Sequence, residues 1–138
     1  MSARDCYSVA MRPSICIAAT LLATASPAFA TGTILCRSTI SPTDGPQLSL
    51  VVGHGAASGV AQARLSYGDQ NFTTGQGADA PVIAQAWVDR DMLKLDIVDA
   101  NAEAVIASLD TRRRRGSDYL GMLRYRGRTW RVRCDEQG

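Results

Sequence analysis

Three scarcities bound this 138-residue sequence before anything else: one histidine, no Cys-x-x-Cys pair and no second long apolar run. A lone His54 cannot build a zinc site, which needs several imidazole or thiolate ligands. Dithiol redox chemistry wants two closely spaced cysteines, and none are so placed. His54 is followed by Gly55-Ala56-Ala57-Ser58-Gly59, which is not the G-x-S-x-G elbow of a serine hydrolase. The chain is therefore read as non-catalytic, with no catalytic residue, metal or cofactor expected.

Two further shortages narrow the field. Asp99, Asn101, Glu103 and Asp110 fall at the first, third, fifth and twelfth positions of a calcium loop, but Ala104 stands where that loop needs glycine. The segment is read as a polar turn. Carboxylates paired for acid–base work are equally missing, because Asp89, Asp91, Asp96 and Asp99 lie at the turns and on the polar face of one hairpin. Internal repeats and low-complexity tracts are absent as well.

What is present begins with a leader. Arg12 supplies a basic start, Ile15–Leu22 an apolar core, and Ala28-Phe29-Ala30 a small-x-small cleavage pattern. Residues 1–30 are expected to be a cleaved secretory signal peptide, with Met11–Ala30 complete as a signal by itself. The apolar run is shorter than the roughly 20 residues of a spanning helix, so no transmembrane segment is expected in the mature chain. The protein is expected to be exported, periplasmic or secreted, after cleavage near Ala30. Residues 31–138 then form a single domain, expected to be monomeric.

Cys6 and Cys16 leave with the leader, and Cys36 and Cys134 remain. An even pair in an oxidising compartment reads as a structural disulfide. Closing so long a loop stabilises by roughly 4–5 kcal/mol in the chain-entropy account.

Period-two alternation runs through the rest. Leu48, Leu50 and Val52 share one face, as do Leu93, Leu95 and Ile97, and again Trp130, Val132 and Cys134. Between the runs stand turn residues such as Thr43-Asp44-Gly45-Pro46 and Gly68-Asp69. Ala104–Asp110 reads as a strand in this meander, with a short helix as the alternative. Arg126-Gly127 is expected to form a type I turn with Gly127 in the bulge position. Gly121 leaves a gap in mid-strand that Trp130 is expected to cover. The fold class is all-β: a small antiparallel up-and-down β-barrel or two-sheet β-sandwich of about eight strands, its terminal strands linked by Cys36–Cys134.

Charge is unevenly distributed. Residues 31–111 hold four cations against nine acidic residues, and 112–138 hold nine arginines against three, for nets of −5 and +6. Either acidic and basic strands neighbour each other in a closed sheet, or the C-terminal hairpin offers a basic face to an anion. Arg112, Arg113, Arg114 and Arg115, expected in a loop spanning Thr111–Gly116, are the candidate anion site, since guanidinium forks match phosphate oxygens. Trp87 and His54 are candidate partner contacts; the alternation alone does not say which face Trp87 takes.

The layout of leader, early cysteine, late cysteine and β meander resembles the periplasmic inhibitors of C-type lysozyme in architecture. Those families carry a Ser-Gly-x-x-Tyr loop and a Tyr-Trp segment that enter the lysozyme cleft. This chain has neither, Ala57-Ser58-Gly59 being the nearest approach. The leading expectation is a non-catalytic exported domain that binds an anionic envelope polymer or lipid headgroup through its arginine-rich edge. The alternative is an inhibitor whose partner is a protein hydrolase of the cell wall, met by the loop Gly53–Gly59. No nucleic acid is expected as a partner.

Overall fold

A computed structural model describes residues 30–54, 58–114, 116 and 118–137. The expected leader, with Cys6 and Cys16, lies almost wholly outside them, as do Arg115 and residues 55–57. Among the described residues there is no helix, and none is long and apolar enough to cross a membrane.

Nine antiparallel strands form one sheet: β1 Ala30–Ser38, β2 Gln47–His54, β3 Gly59–Tyr67, β4 Gln70–Thr73, β5 Val82–Val88, β6 Met92–Val98, β7 Val105–Arg113, β8 Tyr119–Tyr125 and β9 Arg128–Gln137. The order across the sheet is β4-β3-β2-β1-β9-β8-β7-β6-β5. Every sequential pair is a hairpin except β4 and β5, and the first and last strands lie side by side. The sheet curls into a half-barrel whose two edges are β4 and β5. The segment read as Ala104–Asp110 is strand from Val105 on, not helix, because its alternation puts Ala107 and Leu109 into the core beside Leu95 and Leu123.

The concave face is the core. Leu48, Leu50, Leu65, Leu93, Ile97, Leu123 and Val132 are fully buried there. Burying a side chain of this size contributes about 1.5–3 kcal/mol relative to leaving it in water. Cys36 and Cys134 stand directly opposite each other in the β1–β9 ladder, are bonded, and lie wholly within this core. The disulfide thus ties the strands whose pairing joins the two ends of the meander. At one end of the curl, Tyr67 packs against Tyr125 and Trp130 at centroid distances of 6.1 and 5.4 Å, and Phe72 meets Tyr125 at 6.3 Å.

Two local expectations are corrected. The β8–β9 turn holds both Arg126 (φ 53°) and Gly127 (φ 71°) in the left-handed region, with Tyr125 paired to Arg128. That is a two-residue turn of the I′ kind, whose twist matches the strands it joins, in place of a type I turn with a bulge. Gly121 is not a gap covered by Trp130. It lies so close to β7 that a Cβ there would sit 2.1 Å from the Asp110 carbonyl oxygen and 2.6 Å from the Thr111 Cα. Trp130 is paired opposite Leu123, two residues further along β8.

Candidate functional site

The alternation that buries Cys134 and Leu123 turns their neighbours outward, and the registers place those outward residues in rows. One row runs Arg37, Arg133, Leu120, Arg112, Met92 across β1, β9, β8, β7 and β6. The next runs Arg131, Met122, Asp110, Lys94, Trp87 to the edge strand β5. A third carries Thr129, Arg124, Ser108 and Asp96. Five guanidinium groups therefore share the outer face of adjacent strands. Leu120 and Met122, 40% and 42% exposed, stand between them.

Pairing of charge is partial on this face. Asp110 is bridged by Lys94 at 3.4 Å, and Asp118 holds Arg133 through both Nε and Nη2. The latter relieves the direct opposition of Arg133 and Arg37, since like charges across a ladder repel. Among the described residues, Arg37, Arg112, Arg124 and Arg131 have no acidic partner within salt-bridge distance. Towards β5 the face carries little net charge, since β6 holds one cation and one anion, Lys94 and Asp96, and β5 holds neither.

The arginine run does not behave as one unit. Arg112 and Arg113 belong to β7, not to a loop, because the ladder to β8 continues through Arg113 opposite Tyr119. Arg112 is exposed on the outer face. Arg113 is half-buried and structural: its backbone N–H donates to the Asp91 carbonyl at 2.7 Å, and its Nη2 donates to the Tyr119 hydroxyl at 2.8 Å and to Glu136 at 3.1 Å. Its guanidinium also stacks 4.5 Å from the Tyr119 ring centroid. Desolvation pulls its pKa down, but the Tyr119 hydroxyl and Glu136 outweigh that and leave it raised. Arg114 is exposed, with its backbone N–H donated to the Asp118 carbonyl.

Trp87 points outward, 56% exposed. An extra residue at Ala84 shifts the β5–β6 register, so Ile83, Ala86 and Val88 pack against the core and Trp87 faces solvent opposite Lys94. Its indole N–H donates to Asp89 at 2.8 Å, and the other Asp89 oxygen accepts the backbone N–H groups of Asp91 and Met92, each at 2.7 Å. These bonds, the indole's first, hold the Asp89 carboxyl below its ordinary range. Tyr119 donates its hydroxyl to the Asp89 carbonyl at 2.8 Å, which ties this turn to β8.

His54 is the last residue of β2 and is exposed. Gly53 pairs with Gly59 and His54 with Ala30, so both ends of the connection read from sequence as Gly53–Gly59 belong to strands. His54, Trp87 and Arg112 lie towards one end of the sheet, on β2, β5 and β7, with no hydrogen bond, ion pair or ring contact among them. Asp99 spends its carboxylate on the backbone N–H groups of Glu103 and Ala104, at 2.7 and 3.2 Å, as a turn does. Among the described residues no three His, Cys, Asp or Glu side chains converge as metal ligands.

The hairpin's basic face was an alternative from sequence, but Arg37, Leu120, Met122 and Arg124 were not named in it, and the four consecutive arginines were the candidate site instead. The period-two spacing of Arg124, Arg131 and Arg133 about the hairpin was the signal that could have found the face. Compared with known proteins, the chain matches no family model, no curated protein and no solved structure.

Proposed function

We propose that this is a non-catalytic exported domain that binds a phosphate-bearing component of the cell envelope, polymer or lipid headgroup, across its basic outer face. The observation that carries the reading is the set of four guanidinium groups, Arg37, Arg112, Arg124 and Arg131, left without acidic partners around Leu120 and Met122. Guanidinium forks suit phosphate oxygens, and the apolar side chains between them suit a surface with both charge and hydrocarbon. Trp87, at the end of the second row, is an amphipathic side chain of the kind favoured where apolar and wet surroundings meet. Export fits the buried disulfide and the leader pattern of residues 1–30. We also read the curled sheet as an incompletely closed barrel rather than a sandwich, a reading supported by its single continuous strand order. A protein hydrolase as partner has no comparable observation behind it.

The test is binding to vesicles of phosphatidylglycerol and of phosphatidylcholine, and to soluble polyphosphate, over a salt series. The variant for comparison is Arg37→Gln/Arg112→Gln/Arg131→Gln, with Arg113 left in place because it is structural. Selective binding to the anionic probes, weakened by salt and by the triple variant, is expected. Binding unmoved by either refutes the reading.

A further inference from the structure

At the end of the sheet opposite Trp87, β7 outruns the hairpin beside it. The β7–β8 ladder starts at Ala107 opposite Tyr125, so Val105 and Ile106 project past the turn with no partner on that side. The overhang, the turn and Phe72 of β4 line an open cleft of about 730 Å³. That is within the size range of small-molecule sites. Its apolar surface comes from Phe72, Tyr125, Ile106 and Val105, the last 63% exposed. Two cations, Arg124 and Arg126, stand on its wall.

Arg126 is the informative residue. It is a non-glycine side chain held at positive φ, in a turn position that favours Asn, Asp or Gly. The Arg126 guanidinium lies 5.7 Å from the Tyr125 ring centroid, beside the cleft rather than away from it. Neither Arg126 nor Arg124 has an acidic partner among the described residues. The carboxylate on this wall, Asp96, already accepts the Ser108 hydroxyl at 2.6 Å.

We propose that this cleft binds a small amphiphilic anion: one carboxylate or phosphate head gripped by Arg124 and Arg126, with its hydrocarbon on Phe72, Val105, Ile106 and Tyr125. The site shares Arg124 with the outer face but not Arg37, Arg112 or Arg131, and it does not depend on envelope binding. Charge complementarity selects the head, and the aromatic and aliphatic wall selects the body. An inorganic anion would leave that wall wet, and a cationic amphiphile would meet two guanidinium groups of its own sign.

The experiment is calorimetric titration of the full oxidised chain with decanoate and decyl phosphate below their micellar concentrations. Inorganic phosphate and decyltrimethylammonium serve as comparisons. One-to-one binding of the two anionic amphiphiles is expected, with both comparisons much weaker. Losing one charge-assisted contact weakens binding about tenfold, so Arg124→Gln and Arg126→Gly should each raise Kd by about that factor. Arg126→Gly is the decisive variant, since glycine suits the turn and the protein should melt at or above the wild-type temperature. Val105→Glu should also weaken binding, and Arg112→Gln/Arg131→Gln should leave it unchanged. No saturable binding, equal affinity for the cationic amphiphile or for inorganic phosphate, or a Kd unmoved by Arg126→Gly would overturn the proposal. Loss of vesicle binding in the outer-face variant with decanoate binding intact would separate the two sites.

Discussion

Replacing Gly121 by alanine should destabilise the protein, although the same change in an ordinary strand stabilises it. In a strand interior, alanine is favoured over glycine by roughly 0.5–1 kcal/mol because it has less backbone entropy to lose. At Gly121 the added methyl would sit 2.1 Å from the Asp110 carbonyl oxygen and 2.6 Å from the Thr111 Cα, both of them backbone. Backbone cannot rotate away as a side chain tip can, so β7 or β8 must shift, at a cost typical of overpacking, about 1–3 kcal/mol. Thr111 resists that shift, because its buried hydroxyl donates to the Leu93 carbonyl at 2.9 Å and locks β7 to β6. The net expectation is a loss of about 1–2 kcal/mol, lowering a urea midpoint by roughly 0.5–1 M at an m-value of about 2 kcal/mol/M. Gly53→Ala is the internal control: a Cβ there meets nothing within 4 Å. It should be neutral or stabilising by up to about 1 kcal/mol. Equal midpoints for Gly121→Ala and wild type would refute the close approach of β7 and β8.

Arg126→Gly should raise stability by about 1 kcal/mol, because a Cβ is disfavoured at φ 53°, and a thermal melt checks it. Cys36→Ala/Cys134→Ala should lose roughly 4–5 kcal/mol in urea, the entropy of a 98-residue loop, and approach the whole stability of a domain this size. Asp89 has a folded pKa below its unfolded value, so its contribution is present above the ordinary carboxyl range and fades as pH falls through the lowered value. Asp89→Asn should flatten that acid limb and alter Trp87 fluorescence, read by melts across pH 2–6. A wild-type limb retained in the variant would exclude Asp89 as its source.

Much of the fold was legible because burial on one face writes itself as period two: Leu48-Leu50-Val52 and Leu93-Leu95-Ile97 could hardly be other than half-buried strands. The joining of β1 and β9 followed from the cysteines alone. That β4 and β5 are left as the sheet's two edges did not, because it depends on curvature summed over nine strands. Trp87 could not be assigned a face, since the extra residue at Ala84 breaks the parity that would have assigned it. Gly121 looked like a missing side chain and is a close backbone approach, a distinction that needs the neighbouring strand in place. The arginine run advertised itself as a loop, yet hydrogen bonding to Asp91 and Tyr119 draws Arg113 into the sheet. The outer face joins residues as distant in sequence as Arg37 and Arg133, which only the register brings side by side.

The central claim is that the outer face binds anionic surfaces through Arg37, Arg112 and Arg131. Its most direct measurement is Trp87 emission during titration with phosphatidylglycerol vesicles, at about 0.1 M and 1 M salt, where the screening length falls from roughly 10 to 3 Å. The account predicts a blue shift at low salt that is lost at high salt and in the Arg37→Gln/Arg112→Gln/Arg131→Gln variant. An identical shift in all three cases, or none in any, would contradict it.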